Sequence, residues 1–154
     1  MTGRRLFGHF VLPKTGTNVG LFLIVAEKRI EELIALHRPR RLIYEAPLLN
    51  AKRDNVLKLQ KLYGLANEVE KAATRHQLPC LSELLGTIRT HFLGKDFPRQ
   101  SEKIKILTKV KARDMGYDVD TDDEADAIAL LDYILSLDRP ALAMQAKPLL
   151  AGRV

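Results

Sequence analysis

Three acidic residues stand where an acid needs a reason. Asp123 and Asp126 lie in the stretch TDDEADAIALLDY (Thr121–Tyr133), and a spacing of three puts both on neighbouring points of one helix face. Ala127, Ile128, Ala129, Leu130, Leu131, Ile134 and Leu135 follow Asp126, and a helix apolar on nearly every face is expected to be buried. A carboxylate turned into that interior is unfavourable unless a cation or hydrogen-bond donors hold it. Glu45 is the third acid, set among apolar residues in LIYEAP. It falls near the carboxyl end of an expected strand, where ligand sites of open α/β sheets gather. One carboxylate from a strand end facing two from a helix start suits a hard divalent cation such as Mg²⁺, and with it phosphoryl transfer.

Simpler roles compete for some of these acids. Thr121 and Glu124 have the spacing of a capping box, and Asp122, Asp123 and Glu124 are favourable near the positive end of a helix dipole. Glu45 taken alone reads equally well as an edge acid facing solvent. Capping leaves Asp126 unexplained, and the three acids together are what point to a metal.

The charge distribution adds a polyanion to this chemistry. The net charge is +6 in 154 residues. The segment Arg89–Arg113 carries all of it, with eight basic residues (Arg89, Lys95, Arg99, Lys103, Lys105, Lys109, Lys111, Arg113) against Asp96 and Glu102. A localised basic surface is the electrostatic footprint of nucleic-acid binding, although a lysine-rich helix face in solvent has the same composition. His9, His37, His76 and His91 show no metal-ligand spacing. No P-loop, GxGxxG or cysteine cluster is present, so neither a nucleotide cofactor nor zinc is supported. The single cysteine, Cys80 in LPCL, reads as a small buried hydrophobe. No apolar run of membrane-spanning length and no signal-peptide pattern is found, so a cytosolic (cytoplasmic) protein is expected.

The elements that would position these residues alternate between strand and helix. RRLFGHFVLP (Arg4–Pro13) reads as a strand stopped by Pro13. Thr17 or Asn18 caps a helix to about Leu36, which Pro39 ends. RLIYEAP (Arg41–Pro47) is a short strand. Asp54 or Asn55 opens a long helix whose apolar residues Val56, Leu59, Leu62, Tyr63, Ala66, Val69 and Ala73 fall at helical spacing. LPCLSEL is a strand, GTIRTHFLG a short helix closed by Gly94, and SEKIKILTKVKARDMG a helix ended by Gly116. The last helix runs from Thr121 to about Leu137, and residues 141–154 form a tail. The pattern is α/β, with too few strands for so much helix, as if sheet strands were missing.

With these motifs in hand, residues from about Arg4 to Leu137 resemble the RuvC-like Holliday-junction resolvases of the RNase H-like superfamily. The resemblance rests on GHFVLP, on RRLIYEAP with Glu45, on GTIRTHFLGK followed by SEK, and above all on DDEADAIALLDY. It implies an RNase H-like mixed sheet flanked by helices, occupying residues 1–140. It implies Glu45, Asp123 and Asp126 as catalytic metal ligands for Mg²⁺, with Mn²⁺ as a substitute. Arg89 and Lys103 fall where such proteins place basic residues near the scissile phosphate, and His91 lies beside them. Lys95, Arg99 and Lys105 complete the expected nucleic-acid surface.

The implied function is structure-selective cleavage of branched DNA, four-way junctions included, in recombination and repair, by a homodimer with one site per symmetric strand. Two departures from the pattern bear on this. The family's opening strand, of the type ILALDLGxxTGWA and bearing the first aspartate ligand, has no counterpart here, so the domain is expected to be truncated at its N-terminus. The stretch after Glu45 is Ala46-Pro47-Leu48-Leu49, without the aromatic wedge some members use. Two alternatives follow: a catalytically impaired branched-DNA-binding protein of the same fold, or an RNase H-like nuclease acting on RNA or RNA–DNA hybrids.

Overall fold

A computed structural model describes residues 8–48 and 55–138. In chain order they form α1 (Val19–His37), β1 (Leu42–Glu45), α2 (Val56–Arg75), β2 (Cys80–Glu83), α3 (Leu85–Leu93), α4 (Ser101–Asp114) and α5 (Asp122–Asp138). The chain is therefore mixed α/β, mostly helical, with a two-stranded parallel sheet. Two compact units divide it: residues 10–85 make the first, and residues 8–9 with 86–138 make the second. No described helix is long and apolar enough to cross a membrane.

In the first unit, local chemistry fixes the helix ends. The Asn18 side chain accepts from the Leu21 amide at 2.9 Å, and Asn55 does the same for Lys58 at 2.8 Å, each satisfying an otherwise orphaned first-turn donor. Arg38 closes α1 in the left-handed region at φ 45°, its amide bonded to the Ile34 carbonyl, and Pro39 prevents continuation. β1, α2 and β2 form a crossover unit. The strands pair in parallel from Leu42 opposite Cys80 to Glu45 opposite Glu83, a pairing that needs a long connection such as α2. α2 packs on both strands and on α1, and Arg75 ties the helices by reaching Glu27 at 3.0 Å and Glu31 at 2.5 Å.

Three sequence expectations over residues 8–85 are met differently. Residues 8–13 form no strand, since a strand needs a neighbour to take its backbone hydrogen bonds and β1 pairs only with β2 among the described residues; residues 4–7 lie outside them. The apolar series on α2 is only partly covered: Ala66 and Ala73 are buried, whereas Val56, Leu62 and Tyr63 are exposed. Cys80 is half-buried rather than buried, and its thiol pKa is pushed up chiefly by that burial.

The second unit is built around Phe92. Ile88 and Phe92 of α3, Ala112 of α4, Val119, and Ala125, Ile128 and Ala129 of α5 form one cluster. Three alanines in it let the helices approach closely, and the large side chains Ile88, Phe92 and Ile128 fill the space between. α5 is less uniformly buried than its composition suggests. Its inward residues are Glu124, Ala125, Ile128, Ala129 and Ile134, spaced about one turn apart, while Ala127 and Leu137 face outward. Gly94 and Gly116 follow α3 and α4 at φ +92° and +88°, the backbone conformation in which glycine alone is unstrained. The tail from residue 141 lies outside the described residues.

Candidate functional site

The mouth of α5 is an acid cluster in which every acid has a different environment. Glu124 is buried and closes the capping box: its amide donates to Thr121 Oγ1 at 3.2 Å. Its carboxylate accepts from the amides of Thr121 at 3.1 Å and Asp120 at 2.9 Å. The second carboxylate oxygen meets His9 Nδ1 at 2.9 Å. His9 first, then the two amides, hold this carboxyl at a pKa of about 2, because each partner favours the ionised form. His9 is pushed up in return, again chiefly by this hydrogen bond. Glu124 thus holds the structure together, as its position in a capping box implies.

Asp122 and Asp126 are neutralised from two other elements. Lys109 reaches Asp122 at 2.8 Å and Lys105 reaches it at 3.3 Å, both from α4. Those ammonium groups, Lys109 foremost, hold the Asp122 carboxyl below its ordinary range. Asp126 meets Nη2 of Arg89 on α3 at 3.5 Å. Its side chain is only 26% exposed, and burial pushes its pKa up even though Arg89 pulls the other way. Neighbouring Asp122 and Asp123 raise it further. Asp123 itself is exposed. The cost anticipated for a carboxylate on the inner side of this helix is therefore present at Asp126, and the structure supplies a guanidinium against it.

Glu45 belongs to the first unit, where it ends β1 and is exposed. The parallel register sets Glu83 beside it on β2, so two acids share the carboxyl end of the sheet. Glu83 was not singled out from the sequence. Its signal would have been the equal position of the two acids in the strand stretches LIYE and CLSE, readable only once the strands are known to pair.

The basic segment separates into two groups. Arg89, Lys105 and Lys109 hold the acids just described. Lys111 donates to the Phe92 carbonyl with its ammonium over the Phe92 ring, and Arg113 clamps the Val119 carbonyl at 2.8 and 3.2 Å. These five positive charges serve packing at least in part. Lys95, Arg99 and Lys103 are exposed and enter no ion pair within the described residues. His91 bonds Asp132 at 3.1 Å and packs edge-on against Tyr133 at 5.4 Å.

As donors, Asp123 and Asp126 fit a hard cation of limited demand. Magnesium is commonly held by one or two carboxylates together with waters and substrate phosphates, and two oxygen-bearing side chains on one face of α5 meet that requirement. Among the described residues, no group of three or more His, Cys, Asp or Glu side chains converges into an all-protein cage. The sequence matches no known family model and no curated protein.

Proposed function

We propose that this chain is a RuvC-like nuclease domain of RNase H-like fold, in which Asp123 and Asp126 serve Mg²⁺-dependent cleavage of branched DNA. The observation that carries the reading is Asp126. A half-buried carboxylate held above its normal pKa, one turn from an exposed aspartate and beside an arginine, is the kind of perturbed group that functional sites collect. When bound, magnesium there would polarise a phosphoryl oxygen and make a bound water a stronger nucleophile. The chain's own residues supply the rest. Asp123 and Asp126 present oxygen donors, Arg89 places positive charge beside them, and Lys95, Arg99 and Lys103 give the phosphate backbone exposed cations. A junction has two symmetric strands to cut, so two copies are the active form.

A second reading has a specific observation in its favour. Asp122 and Asp126 already carry internal counter-ions, an arrangement equally suited to a branched-DNA-binding protein that does not cleave. One experiment separates the two. The full chain is incubated with a synthetic four-way junction, a linear duplex and an RNA–DNA hybrid, with Mg²⁺, with Mn²⁺ and with chelator. Junction cleavage that requires the metal and is lost in Asp126→Asn supports the nuclease. Binding that weakens steeply with salt but never leads to cleavage supports the second reading. Preferential attack on the hybrid moves the substrate to RNA, where shape and the 2′-hydroxyl are recognised. Failure to bind any of the three substrates overturns the proposal.

A further inference from the structure

The Arg89–Asp126 pair is loose for an ion pair of its burial. One nitrogen, Nη2, approaches one oxygen at 3.5 Å, whereas arginine and carboxylate commonly form two parallel, shorter bonds. The Arg89 side chain is 17% exposed, and its Nε is buried without a hydrogen-bond partner among the described residues. A buried guanidinium donor left unmatched is unfavourable, so the group is held at Asp126 without being satisfied there. The helices that carry the two partners are held together through Ile88, Phe92, Ile128 and Ala129, so only the side-chain ends can part. Asp122 takes no part in the pair, being held by Lys105 and Lys109.

We infer that Arg89 is an exchangeable counter-ion. Without metal or nucleic acid it neutralises Asp126; a divalent cation arriving at Asp126 displaces it, and the released guanidinium takes a backbone phosphate oxygen. The inference rests on the reading of Asp126 as a metal ligand and extends it to regulation: metal and nucleic acid bind with positive coupling, because each removes the partner that the other must compete with. Arginine is suited to the exchange, since its fork matches carboxylate and phosphate alike. Arg89 is in this sense a competitor of the metal at Asp126 and a contact residue for the phosphate.

The test reads binding rather than turnover. Thermal melting of wild type and Arg89→Met is followed against MgCl₂. The variant is expected to reach its half-maximal shift at lower Mg²⁺, by up to about fivefold, the factor equivalent to the upper end of the exposed ion-pair range. Four-way-junction affinity is then measured in chelator from 50 to 200 mM NaCl for wild type, Asp126→Asn and Asp123→Asn. Asp126→Asn frees Arg89 for one more phosphate. Its affinity should fall about 3.5-fold more over that range than that of wild type, the loss expected for one added contact.

Asp123→Asn removes the same charge without freeing an arginine, and its salt dependence should match wild type. Wild type stabilised by Mg²⁺, with an unchanged or higher midpoint in Arg89→Met, overturns the inference and leaves the nuclease reading standing. Wild type and variant both indifferent to Mg²⁺ overturn the inference and the metal reading together. Should Arg89→Met not fold, the junction series decides alone: equal salt dependence in Asp126→Asn and Asp123→Asn overturns the exchange.

Discussion

Gly64 sets the separation of α1 and α2, and replacing it with alanine opposes two effects of similar size. A Cβ at this position would lie 2.7 Å and 2.9 Å from the Leu23 methyl carbons and 3.3 Å from Leu23 Cγ, all shorter than a normal carbon–carbon contact. Helix propensity alone favours alanine over glycine by about 1 kcal/mol. Forcing a methyl group into a closed contact costs about 1–3 kcal/mol. Leu23 is a flexible side chain and yields part of the overlap, which places the cost near the middle of that range. Gly64→Ala should therefore destabilise the chain by about 1 kcal/mol, lowering Tm by about 2–4 °C for a chain of this length.

Leu23→Ala removes all three crowding atoms, and in that background Gly64→Ala should instead stabilise by about 1 kcal/mol. The double-mutant cycle thus predicts a coupling of about 2 kcal/mol between the two positions, measured by urea unfolding of the four proteins. Two effects that simply add, with Gly64→Ala stabilising in both backgrounds, would refute the argument that close helix approach is why glycine occupies this position.

Further predictions concern the α5 mouth and the core beneath it. With the Glu124 carboxyl held at about 2, its contribution to stability is present above the unfolded carboxyl pKa and is lost as pH falls toward 2. Acid unfolding of Glu124→Gln should lack this part of the pH dependence. The His9 side of the pair runs in the opposite sense: its contribution is present below the ordinary imidazole pKa and fades as pH rises through the raised value.

Asp126, whose pKa is raised by burial, is more stable protonated. Asp126→Asn keeps that neutral form at all pH, so it should raise Tm at pH 7 without divalent metal, the gap closing as the wild-type group protonates in acid. A variant melting below wild type at pH 7 would mean that the Arg89 attraction outweighs desolvation. Phe92 is fully buried at the centre of its cluster, and Phe92→Ala should cost about 3–5 kcal/mol in chemical denaturation. A loss under about 1 kcal/mol would show that the second unit does not depend on that cluster.

Local chemistry is what the sequence by itself determined. Asn18 and Asn55 cap their helices, Pro39 follows a helix end, Gly94 and Gly116 take positive φ, and Thr121 with Glu124 forms the expected capping box. Each depends on residues a few positions apart, so spacing alone suffices. The two short strands were legible for the same reason, as apolar stretches bounded by proline and turn residues.

Only the tertiary structure decided what the acids meet. Spacing marked Asp126 as a carboxylate in need of a partner, but Arg89 reaches it from another helix, and Lys105 and Lys109 reach Asp122 from a third. His9 closes on Glu124 across 115 positions of chain, and Glu83 stands beside Glu45 because two separate strands pair in one register. Such contacts follow from which apolar faces bury against each other, a property of the packed chain as a whole. The same packing divided the basic segment into charges that hold acids or carbonyls and charges left facing solvent, a distinction that counting lysines and arginines along the chain does not contain.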